Sequence, residues 1–214
     1  MEKKEIIKKQ EVFNIIFKEL EKYMNEYGFQ GIKKEYKFFK KTSKYYYEVY
    51  VSTASYGPLG HHLDFHFQSK SLDLIEYGEK FEEFFGNAIL MNNGAGYSQN
   101  KYNKQFDKYI IKSDDDLSSA LEDFKPIFIT IGLPFFEQFS TLEALEKECN
   151  KDFKLTGLHF TECKNTGVML SKMTGGNAKA VAEGYKNTLR EMNLIESELL
   201  DSFKVLDALV AYQK

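Results

Sequence analysis

His61-His62-Leu63-Asp64-Phe65-His66 is the stretch whose residue types come closest to a reactive site. On a strand, side chains alternate between faces, so His62, Asp64 and His66 project from one side while Leu63, Phe65 and Phe67 project from the other. Two imidazoles and a carboxylate are a ligand set for zinc or a ferrous ion, and such an ion would make the chain a metal-dependent enzyme. Alternate strand positions lie roughly 7 Å apart. That is wide for one ion, so a neighbouring strand or loop has to supply a further ligand, and His159 is isolated. The plainer reading is a solvated strand face whose imidazoles pair with Asp64 or with tyrosines, with no cofactor.

The second candidate is aromatic. In Tyr45 to Ser55, YYYEVYVSTAS, the residues Tyr45, Tyr47, Val49 and Val51 alternate with Tyr46, Glu48, Tyr50 and Ser52. The pattern predicts a strand with one apolar face and one amphipathic face. Tyr46, Glu48 and Tyr50 share the amphipathic face. Exposed tyrosine suits protein interfaces, so these three are the candidate residues for a protein partner. A competing reading has the C-terminal helices cover that face.

Other motifs fall short of chemistry. Gly94-Ala95-Gly96 lacks the third glycine and the strand-to-helix setting of a dinucleotide site. Asp114-Asp115-Asp116 precedes an apolar-periodic segment, where acidic residues suit a helix start. No Gly-x-Ser-x-Gly elbow is present.

Composition excludes further classes. The 29 basic and 32 acidic residues leave a net charge of −3, and Arg190 is the sole arginine. Nucleic-acid binding needs a concentrated basic face and favours arginine, so no nucleic-acid partner is expected. The charged start MEKKEIIKKQ has no apolar signal core, and no run approaches a membrane span. A reducing cytoplasm is therefore expected, with Cys149 and Cys163 as free packing residues. At 43% hydrophobic with 19 Phe and 14 Tyr, the 214 residues can build an aromatic core without a staple.

Periodicity supplies the elements. Lys3 to Tyr27 reads as a helix ended by Gly28. Ile32 to Lys41 reads as extended, Tyr56 to Gly60 as a turn, and His61 to Gln68 as a strand. Ser71 to Phe85 is predicted helical, 91 to 105 a long loop, and Tyr109 to Lys112 a short strand. Ser113 or Asp114 should cap the next helix. Gly132-Leu133-Pro134 marks a break, and Ser140 with Glu143 has capping-box spacing. Helices around Val168 to Met173, from Asn177 through Leu189, and from about Leu194 to Tyr212 complete the chain. The expected fold is a single α+β domain over 1–214. An antiparallel sheet of three to four strands, mostly within 32–68, packs with the N-terminal helix and a helical region over 113–214.

Three stretches carry a likeness. They are Tyr27-Gly28-Phe29 ahead of hairpin strands, LPFFEQFSTLEAL from Leu133 to Leu145, and VMLSKMTGGN before a helix containing Tyr185. In these features the chain resembles a bacterial family of domains of unknown function. That resemblance implies no catalytic residues. Some related small proteins sit near toxin systems, which implies an immunity-like binding role. The reading favoured is a non-enzymatic protein-binding module, with the His62, Asp64, His66 metalloenzyme as the alternative.

Overall fold

The computed structural model describes residues 7–85, 96–98, 109–151, 153, 158–192 and 194–212. It is α+β, as the order of periodic segments predicts. Two compact units divide the chain: Met1–Ser69 with Ser98–Glu137, and Lys70–Tyr97 with Gln138–Lys214. Among the described residues no helix is long and apolar enough to cross a membrane.

The first unit begins with α1, Lys9–Glu26. Its buried stripe is Val12, Phe13, Ile16, Phe17, Leu20 and Met24, at the three- and four-residue spacing of one helical face. Gly28, at φ 80°, takes the left-handed turn that ends it. Then come β1 (Gln30–Ile32), β2 (Lys37–Lys41), β3 (Tyr45–Ser55) and β4 (His61–Ser71). The Ile32 to Lys41 stretch is interrupted, not continuous. A 3-10 turn fills Lys33–Glu35, and Tyr36 adopts a left-handed φ of 53°. That conformation is uncommon for a bulky residue. Stacking of its ring on Phe13, with centroids 3.9 Å apart, offsets the strain.

The antiparallel sheet runs in the order β1-β2-β3-β4-β5, with β6 (Tyr109–Ile111) also pairing β4. It has more strands than the three to four expected. The additions β1 and β5 (Gly96–Ser98) are three residues long, too short to show alternation in sequence. The rest of the expected 91–105 loop, Gly94-Ala95 included, lies outside the described residues.

One sheet face is apolar and covered. Phe38, Val49, Val51, Leu63, Phe65 and Phe67 are buried. Phe17 of α1 stacks on Phe38 at 4.7 Å. From α3 (Asp114–Ile127), Phe124 stacks on Phe65 at 4.2 Å. Ser113 caps α3 in a reciprocal box with Asp116.

The expected break at Gly132-Leu133-Pro134 does not occur. The chain passes from α3 through a π turn, Phe128–Gly132, into α4, Leu133–Gln138. Pro134 is the second residue of α4, directly after the π turn. Gly132 admits the close approach of Phe67, since a Cβ there would lie 2.8 Å from that ring.

The second unit is mainly helical: α2 (Leu72–Phe85), α5 (Leu142–Asn150), α6 (Leu158–Met173), α7 (Ala178–Glu191) and α8 (Glu196–Ala211). The α5 cap is Thr141, which accepts from Ala144 N at 3.2 Å, and not the expected Ser140. Both residue types can cap, and the extended backbone falls one residue later than the spacing suggested. Asn177 caps α7 as its position predicts. Tyr185, fully buried, donates its hydroxyl to the Cys149 carbonyl at 2.8 Å. The Cys149 thiol is buried and forms no disulfide among the described residues, while the side chains of His159 and Cys163 lie outside them.

Candidate functional site

Opposite the apolar face, the same strands of the first unit build a half-exposed face. Register places Lys37, Phe39 and Lys41 of β2 across from Tyr50, Glu48 and Tyr46 of β3. Directly opposed residues in antiparallel strands share a face, so the predicted trio of Tyr46, Glu48 and Tyr50 is brought together. Tyr46 stacks on Phe39, with centroids 5.3 Å apart and planes 6° from parallel.

Glu48 differs from its neighbours because it is 1% exposed. Lys37 Nζ donates to its Oε1 at 2.7 Å, and the Tyr50 hydroxyl donates to its Oε2 at 3.0 Å. Lys37 also reaches Glu35 at 2.9 Å and lies 5.6 Å from the Tyr50 ring centroid. A desolvated carboxylate needs such charge-assisted partners. Sequence puts Glu48 on the amphipathic tyrosine face, whereas the structure buries it there, bonded to Lys37 and the Tyr50 hydroxyl. A glutamate amid strand-forming tyrosines was a visible signal. Its partner Lys37, eleven residues earlier, depends on register.

These contacts set the protonation of the site. Burial, reinforced by the Glu48 charge, pushes the Tyr50 hydroxyl up to about 12. Burial alone would lower the Lys37 amine, but its bonds to Glu35 and Glu48 outweigh that and raise it. The unfolded chain therefore loses the Tyr50 proton near the ordinary value of about 10 while the folded chain keeps it. Fewer protons bound when unfolded means that stability falls as pH rises, and Lys37 contributes in the same direction. The urea midpoint is expected to drop between about pH 10 and 11, with a shallower drop in Tyr50→Phe. Equal drops in both proteins would remove Tyr50 from this account.

The histidines of β4 separate. His61 is buried on the apolar side, with Nδ1 2.9 Å from Ser55 Oγ and Nε2 2.6 Å from the Ile7 carbonyl. His62, Asp64 and His66 are half-buried. The His62 ring lies 4.4 Å from the Tyr56 ring, and its buried Nδ1 has no hydrogen-bond partner among the described residues. His66 Nε2 sits 2.9 Å from Ser52 Oγ across the strands. Among the described residues, no group of three or more His, Cys, Asp or Glu side chains is placed to hold a metal ion. Serine beside imidazole is also a nucleophile–base distance. However, β3 and β4 each lie between two sheet neighbours. Backbone N–H groups paired in such ladders are not free to stabilise an oxyanion.

The far end of the unit is more apolar. Tyr56 (48%), Leu59 (61%) and Ile110 (51%) are exposed, and Ile110 is paired with His62 in the sheet. Their sequence positions give no sign of this grouping, because scattered exposed apolar residues are ordinary until pairing gathers them. Compared against protein families, curated proteins and solved structures, the chain finds no match.

Proposed function

We propose that the chain is a non-enzymatic, cytoplasmic protein-binding module that docks a folded protein on the Tyr46 and Tyr50 side of its sheet. An immunity-type pairing, which the family resemblance implies, is one case of it. The observation that carries this reading is the buried Glu48 beneath a half-exposed aromatic surface. An ion pair removed from water adds little net stability over apolar packing. It does fix the geometry of the groups around it, here Tyr50 directly and the neighbouring Phe39–Tyr46 stack through the shared strands. Rigid aromatic anchors bind at low entropic cost. The complementary partner presents an apolar strip edged by hydrogen-bonding groups. It meets the stacked rings at one end and Tyr56, Leu59 and Ile110 at the other.

Tagged full-length protein, captured from its own cells, is expected to retain one partner in near-equal amount. Tyr46→Ala and Tyr50→Ala should each weaken the purified complex by more than about tenfold. A partner that binds both variants as tightly as wild type, or no stoichiometric partner, contradicts the proposal.

A further inference from the structure

Charge on the ring-bearing strands runs against the trend of the whole chain. From Lys33 to Tyr50 there are six lysines and two glutamates, a local charge of +4 in a chain whose total is −3. Both glutamates serve one cation, since Lys37 reaches Glu35 at 2.9 Å and Glu48 at 2.7 Å. Lys40, of opposite strand parity, donates to the Tyr27 carbonyl at 3.0 Å. The other four, Lys33, Lys34, Lys41 and Lys44, are exposed and form no ion pair among the described residues.

These four stand in two groups. Lys33 and Lys34 lie in the 3-10 turn that precedes β2, while Lys41 ends β2 and Lys44 lies in the turn into β3. Between Lys37 and Lys41 the strand rises roughly 13 Å. Over that length Tyr50 lies opposite Lys37 and Tyr46 opposite Lys41, with Phe39 between them. Cations therefore bracket an aromatic patch at both ends. An interface of this layout has an apolar centre and a charged rim, and the rim charges select the partner and speed its encounter.

We propose that the partner docked on this side is an acidic protein, whose Asp and Glu carboxylates flank an apolar strip and pair with Lys33 and Lys34 at one end and with Lys41 and Lys44 at the other. This names the chemistry of the partner and rests on the docking reading. A nucleic acid fits less well. Single strands stack their bases on open rings along a continuous basic track. Here Phe39 and Tyr46 stack on each other, 6° from parallel, so each ring has one face taken. The two groups of lysines are also separated by the rings and by the buried Glu48.

The test uses the full chain and the complex captured from its own cells. A carbodiimide couples an amine to a carboxylate already in contact with it. Peptide mass mapping should find lysines of both groups joined to acidic residues of the partner. Lys41→Glu with Lys44→Glu should slow association at low salt by about tenfold or more, and the difference should shrink as salt rises. Lys18→Glu with Lys22→Glu should bind like wild type, because these exposed lysines lie on α1, which covers the opposite face of the sheet. Thermal melts identify any loss of fold. If Tyr46→Ala weakens the complex while folded Lys41→Glu with Lys44→Glu associates as fast as wild type, the docking side stands and the acidic partner is overturned. Coupling confined to Lys18 and Lys22 overturns it, as does a complex lost to nuclease or displaced by poly(U). Capture of no stoichiometric partner removes the docking reading and this inference together.

Discussion

Lys37→Ala is expected to destabilise the protein by about 3–5 kcal/mol, the usual cost of stranding a buried charge. The substitution removes the ammonium 2.7 Å from a carboxylate that is 1% exposed. Lys37 itself has a side chain only 12% exposed, so water cannot simply take its place. The double change Lys37→Met with Glu48→Leu removes both charges. It should sit close to wild type, because apolar groups of similar size often replace a buried pair without loss. Urea denaturation of the three proteins measures the difference. A single-variant cost below about 1 kcal/mol would mark the pair as an ordinary solvated one and leave Glu48 without the bracing role assigned to it.

Phe128→Ala should be of similar size, about 3–5 kcal/mol. Phe128 is fully buried at the π turn and meets a ring of aromatics. Tyr27 and Phe29 meet it edge-on at 5.3 and 5.5 Å, while Phe124 and Phe67 lie at 5.8 and 6.3 Å. Stiff rings on several sides cannot collapse into the space, so the cavity persists and the cost lies toward the upper end. Phe128→Leu, which keeps most of the volume, should lose less than half as much. Calorimetric melts of both variants decide it, and equal losses would mean that shape matters more than volume at this position.

Much of this fold is legible in the amino-acid sequence, for reasons that differ by element. The strand over Tyr45 to Ser55 is visible at its full extent because period-two alternation is local. Ser113 is identifiable as a cap because the capping geometry spans three residues. The passage through Phe128 to Leu133 is hidden, because Pro and Gly usually stop helices and a π turn absorbs them here. Tyr36 gives no sign of a left-handed backbone, since its compensation comes from Phe13, far back in the chain. The same distinction governs the candidate site. Alternation alone puts Tyr46, Glu48 and Tyr50 on one face. Burial of Glu48 depends on which β2 residue lies beside it. Alternation also aligns His62, Asp64 and His66. In three dimensions His62 packs on Tyr56, and His66 lies within hydrogen-bond distance of Ser52.

The docking role requires that the Tyr46 face meet another protein in the cell. Replacing Tyr46 with a photo-cross-linking phenylalanine analogue, and doing the same separately at the exposed Lys204, tests this directly. Irradiation of living cells should yield one discrete heavier species from position 46 and none from position 204. Absence of that species at 46, or the same products from both positions, would contradict a docking face on this side of the sheet.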